Sequence, residues 1–258
     1  MLIQASDLER FSLSAVDGPI GRIHDLQVDD QGWVVSDIVA SVGHWLTERL
    51  IIVRPTSVVK VDRSHQSIEV ALTPDQIADA AGPMSHPSVS RQHQVAAYHY
   101  LGLPLMVADL EAADPGLGVA LLEEEYGRER LDPHLRSLRA LVHYWLEVDG
   151  MAAGHVADWI VDLADWRVAY AVVRVPAESG RRHVLVPVEW LGPISWSARA
   201  VYVGLPRDVI VEAPDYRPGR IPDLDYRTRL SGWYEEPLAH DRRRLARATR
   251  SHVAPRPD

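Results

Sequence analysis

The chain has 258 residues, 47% hydrophobic and 24% charged, with a formal net charge of −9. This is ordinary globular composition with room for one large domain or two small ones, and it excludes a disordered tail protein and a collagen-like scaffold. The absence of cysteine removes disulfides, thiolate zinc sites, iron–sulfur ligation and cysteine nucleophiles together. No run approaches the roughly 20 apolar residues of a membrane span, and the opening MLIQASDLERFSLS lacks a basic stretch followed by an apolar one. The expectation is a soluble, cytoplasmic protein.

An internal repeat organises the chain. Shifted by 133 positions, the block from Gly21 to Ile77 lies over Gly154 to Ile210 without a gap. Identical pairs include Gly21 with Gly154, Asp25 with Asp158, Asp29 with Asp162, Trp33 with Trp166 and Arg49 with Arg182. Other pairs exchange one apolar residue for another, as Ile23 with Val156 and Ile51 with Val184. Upstream, Val16-Asp17-Gly18 matches Val148-Asp149-Gly150 if one residue is inserted, as a loop of relaxed length allows. Downstream, the same shift places Pro104 over Pro237. Two copies at so long a period signal duplicated domains rather than a solenoid.

In chain order, Asp17-Gly18 marks a tight hairpin turn, because glycine adopts positive φ freely. A strand is predicted over Gly21 to Asp29, then a loop over Asp30 to Gly32 and a second strand from Trp33 to Val42. A third, Arg49 to Pro55, ends where proline removes a ladder donor. Val58 to Val61 and Ser67 to Leu72 form a last hairpin, and Thr73-Pro74-Asp75 opens a short helix. Between the copies, proline-punctuated sequence predicts helices over Ser90 to Leu101 and Leu117 to Arg130. The second copy repeats the turn at Asp149-Gly150 and then strands over Gly154 to Asp162, Trp166 to Val175, Arg182 to Val188 and Ala200 to Leu205. So many short strands in about 65 residues suit a small closed barrel with a filled interior. The expected fold class is mainly β: two small barrels in tandem at 1–80 and 136–215, a partly helical linker with satellite helices at 81–135, a tail at 216–240 packing on the second barrel, and a basic, disordered end at 241–258.

The succession Val16-Asp17-Gly18, Gly21-x-Ile-x-Asp25-x-x-Val-Asp29, Trp33 and Gly43-His-Trp45, with an apolar strand ending at Pro55, resembles the PRC-barrel family. The second copy resembles it through Asp132-Pro-His-Leu-Arg-Ser137, Asp158-Trp-Ile-Val-Asp162, Trp166, Val184-Leu-Val-Pro187 and Trp190. The tails Ser90 to Tyr100 and Asp225 to Leu230 look like those of soluble two-barrel members. The family takes its name from the cytoplasmic domain of the photosynthetic reaction centre H subunit, and a related barrel forms the C-terminal half of the ribosome maturation factor. The resemblance implies a non-enzymatic adaptor for protein or protein–RNA partners, working through mouth loops and satellite helices, with no cofactor. The Gly43-His-Trp45 motif gives way to Pro176-Ala-Glu178 in the second copy, so the copies need not share partners.

The candidate sites are weighed against that expectation. Asp25 and Asp29, like Asp158 and Asp162, are four apart on a strand and stand about 13 Å from each other, too far for a shared metal or a carboxylate dyad. Together with Asp17, Gly18, Gly21, Asp149, Gly150 and Gly154 they read as turn and bulge residues whose carboxylates accept backbone amides. His93 and His99, six apart, lack the spacing that puts two ligands on one helical face, and no nucleophile elbow, phosphate loop or His-Glu-x-x-His occurs. No catalytic, metal or cofactor-binding residue is therefore assigned. The contact candidates are His44 and Trp45 on their loop, and Tyr98, Tyr100, Trp233 and Tyr234, which either pack satellite helices or, if exposed, anchor a partner or a second copy in a homodimer. The net charge and Glu123-Glu-Glu125 argue against nucleic acid as the main partner, and the tail arginines read as a solvated run. Two other readings stay open: a ligand or metal site of histidines and aspartates between the barrels, and a peripheral accessory to a membrane complex of the photosynthetic electron-transfer type.

Overall fold

A computed structural model describes residues 1–15, 17–43, 49–82, 87–92, 132–177 and 180–235. His44, Trp45, Tyr98, Tyr100, His93, His99, the second linker helix and the arginine-rich end lie outside the described residues. The fold is mainly β. Among the described residues no helix is long and apolar enough to cross a membrane.

The first half runs β1 (Leu2–Gln4), α1 (Ala5–Leu8), β2 (Ser12–Ala15), β3 (Gly18–Asp29), β4 (Val34–Val42), β5 (Arg49–Val53), a 3-10 turn (Pro55–Ser57), β6 (Val58–Asp62), β7 (Ser67–Val70) and α2 (Pro74–Ala78). The second half runs β8 (Leu135–Ser137), β9 (Trp145–Val148), β10 (Met151–Asp162), β11 (Arg167–Ala177), β12 (Gly180–Pro187), a 3-10 turn (Val188–Trp190), β13 (Leu191–Ser195), β14 (Ala200–Val203) and α3 (Arg207–Val211). Every one of these strands begins 133 residues after its counterpart except β12, which starts two residues early at Gly180. β15 (Asp215–Tyr216) and a helix α4 over 224–235 follow. The shift also holds across the first hairpin, where Ala15 pairs Gly18 as Val148 pairs Met151, so the inserted residue expected there is not needed. Asp149 and Gly150 both take positive φ, as a two-residue hairpin demands, whereas the first copy carries its Asp-Gly one place later.

The cores repeat as the strands do. Leu13 and Leu146, Val28 and Val161, Ile51 and Val184, and Ile68 and Val201 are all buried. Alternation along short strands puts these side chains on one face, and the sheet curls around them. Within each half the strand order is β6-β7-β2-β3-β4-β5 and its equivalent, with β2 parallel to β7 and β9 parallel to β14.

Two expectations are corrected here. Neither half is a closed barrel, because no ladder joins β5 to β6 or β12 to β13 among the described residues. The chain leaves β5 through Pro55, which has no amide to give, and β13 carries Pro193, which confines it to an edge. Nor are the halves separate cylinders: the fifteen strands among the described residues belong to one sheet. β1 of the first half pairs with β10 (Leu2 with Asp162, Gln4 with Ile160), and β8 of the second half pairs with β3 (Leu135 with Asp29, Ser137 with Gln27). At the centre, Val34 pairs Arg167, and the Val35 and Val168 amides donate to the Trp166 and Trp33 carbonyls at 2.7 and 2.8 Å. The two halves thus exchange their first strands about a local two-fold relation.

Candidate functional site

The seam between the halves is where the recurring polar residues gather. Strand β3 bulges at His24 and β10 at Ala157, which brings Asp25 and Asp158 out of alternation at equivalent places. The Asp158 carboxylate accepts from the Trp159 amide at 2.8 Å, the Ser6 amide at 3.2 Å and Gln4 Nε2 at 2.7 Å, and also from Ser6 Oγ. Asp25 accepts from the Leu26 amide at 2.7 Å, the Arg139 amide at 3.1 Å and Ser137 Oγ. Each aspartate therefore holds its own bulge and also the segment that arrives from the other half. Burial pushes the Asp25 carboxyl up to about 6, outweighing the lowering effect of the Ser137 hydroxyl, the two amides and the Arg139 charge.

The hairpin aspartates do local work. Asp29 accepts from the Gln31 amide at 2.7 Å, and Asp162 from the Ala164 amide at 3.0 Å. Beside them Asp30 binds Arg136 and, at 2.9 Å, His134, while Gln31 lies 3.0 Å from the other imidazole nitrogen. The carboxylate of this Asp–His pair is already held by a guanidinium. Among the described residues no three of His, Asp and Glu converge as a metal site.

Other recurring residues are structural for reasons that spacing did not show. A Cβ on Gly21 would lie 1.9 Å from the Ser41 carbonyl oxygen, and one on Gly154 would lie 2.5 Å from that of Arg174, so both glycines permit the bulged strand to approach its neighbour. Arg49 donates to the carbonyls of Ile77, Ala78 and Ala80 at the end of α2, and Arg182 to those of Val211 and Ala213 at the end of α3. Each thus caps the carbonyl end of a helix. Both arginines stood in the aligned copies, but nothing local marks a strand arginine as a helix cap.

The C-terminal candidates are packing residues. α4, capped where the Tyr226 amide donates to Asp223, docks on the second half through three aromatic donors. Tyr226 donates to the Pro214 carbonyl at 3.0 Å, Trp233 to Val209 at 2.8 Å and Tyr234 to Leu185 at 2.9 Å. Tyr234 is buried and Trp233 half-buried, so Tyr234 belongs to the core and not to a contact surface. Exposed instead are Trp145, Met151 and Tyr202 on neighbouring strands of the second half, none of which sequence reasoning singled out. Compared with known proteins, the chain matches no family model and no curated sequence.

Proposed function

We propose that this protein is a two-copy PRC-type β module that acts by binding protein or protein–RNA partners and carries no reaction of its own. What supports the reading is the division of labour between the copies. The polar and glycine residues that recur 133 positions apart are spent on architecture: Asp25 and Asp158 as latches, Gly21 and Gly154 as close approaches, Arg49 and Arg182 as helix caps. Residues that differ between the copies are free to specify contacts, beginning with the His44-Trp45 loop that the second copy lacks. In this reading each half descends from a PRC barrel, opened at one edge and completed by its neighbour's first strand.

The test is affinity purification of the full chain beside its Trp45→Ala variant. A partner recovered in stoichiometric amount with the wild type and lost with the variant is the expected result. Recovery of the same abundant background proteins by both overturns the reading.

A further inference from the structure

The outer face of the second half carries a feature that the fold does not require. Trp145, His155, Arg174 and His183 are successive Cα partners across β9, β10, β11 and β12. At about 4.8 Å per strand they form a row roughly 14 Å long. All four side chains end in flat π systems. The Trp145 and His155 rings meet edge-on with centroids 5.9 Å apart, His143 in the preceding turn lies 6.3 Å from His155, and Arg174 Nε is 3.4 Å from His183 Nε2. Trp145 is 51% exposed, and Tyr202, 37% exposed, stands on β14 one strand beyond.

The first half provides the comparison. Its residues at the same four positions are Ser12, Arg22, Ser41 and Leu50, and Glu69 replaces Tyr202. The inward neighbours keep their apolar character, with Leu13 for Leu146 and Ile23 for Val156. The planar row is therefore specific to one copy on an otherwise shared scaffold.

Its electrostatics are one-sided. Burial and the nearby Arg174, His143, Arg181 and His183 hold His155 below the usual imidazole range, and burial with Arg174 does the same for His183. Among the described residues β11, β12 and β14 carry no carboxylate, and β9 carries Glu147, two residues from Trp145 and opposite Ala152 and Tyr202. Arg182 is occupied by the α3 carbonyls and Asp215. A chain of net charge −9 thus concentrates positive groups beside flat exposed rings.

We infer that the outer face of β9 to β12 binds single-stranded nucleic acid, with bases stacked on Trp145, Tyr202 and the imidazoles and phosphates held by Arg174 and Arg181. An acidic peptide needs cations alone, whereas this row pairs cations with π faces, which unpaired bases use and duplexes hide. Overall charge repels a polyanion at long range, so binding depends on short-range contacts. The inference goes beyond the protein-binding reading and survives the loss of a protein partner.

Fluorescein-labelled ten-nucleotide oligo-U, titrated with the full chain, provides the test by anisotropy. Two arginine contacts give a log K against log salt slope of about −1.4. Trp145→Ala weakens binding about tenfold, Arg174→Ala weakens it and flattens the slope by about 0.7, and Arg22→Ala on the first half changes nothing. Equal affinity for duplex RNA of the same length, wild-type affinity in both row variants, or binding of poly-glutamate but not oligo-U overturns the inference. Photo-crosslinking of 4-thiouridine oligo-U to the wild-type chain guards against unfolded variants. Crosslinks in β9 to β12 support the site, and crosslinks confined to residues 241–258 refute it.

Discussion

Asp25 shows how a single buried carboxylate makes the seam sensitive to pH. Its carboxyl sits near 6 in the folded chain against an ordinary value of 3.8, so the fold binds this proton more tightly than the unfolded chain does. The stability it contributes is complete below about pH 4 and is lost as pH rises through about 6, a difference on the order of 3 kcal/mol. Melting temperature measured from pH 4 to 7 should therefore fall less steeply in Asp25→Asn, which carries no charge to bury; an unchanged profile means another group sets the slope. Gly21→Ala acts through sterics alone, because the new methyl meets the Ser41 carbonyl oxygen. It should cost about 3 kcal/mol or more and exceed Gly154→Ala, whose clash is milder, by urea denaturation. The recurrence of these residues marked them as structural before any geometry was known. Sequence did not show what they hold, because Ser137 lies 112 residues from Asp25 and Gln4 lies 154 from Asp158.

Among the elements, the three-residue strands β1 and β8 matter more than their length suggests. Ile3 is buried on the second half although it belongs to the first, so Ile3→Ala should cost about 2–4 kcal/mol. The loss should appear as faster amide exchange at the Ile160 to Asp162 end of β10, and exchange accelerated only within the first half would refute the strand exchange. The long strands β3, β4, β10 and β11 were readable from β-branched runs and turn residues, as was the α2 start, where Thr73 and Gln76 form a reciprocal cap. β1 and β8 were not, since three residues carry too little alternation to register. Barrel closure is not legible in this way, because strand count is local information whereas pairing of β5 with β6, or of β12 with β13, is a long-range property of the edges.

At the scale of the molecule, exchange of first strands turns two copies into one folding unit. The Trp33 ring packs 5.1 Å from that of Trp159, centroid to centroid, and Trp159 is fully buried while donating to the Leu138 carbonyl. A residue from each half thus fills the same interior, beside the paired Val35 and Val168 amides that cross the centre. Neither half can bury its latch aspartate or complete its sheet without the other. The full chain should therefore unfold in one calorimetric transition, with calorimetric and van't Hoff enthalpies in agreement. Trp33→Ala removes the ring contact and leaves a cavity, a loss of about 3–5 kcal/mol that lowers the melting temperature of that single transition by about 6–20 °C. Independent halves would behave otherwise: Trp33→Ala would split the endotherm, moving one peak and leaving the other in place. Scanning calorimetry of the two proteins decides between these outcomes, because only interlocked halves force a defect at one ring to be felt by all fifteen strands at once.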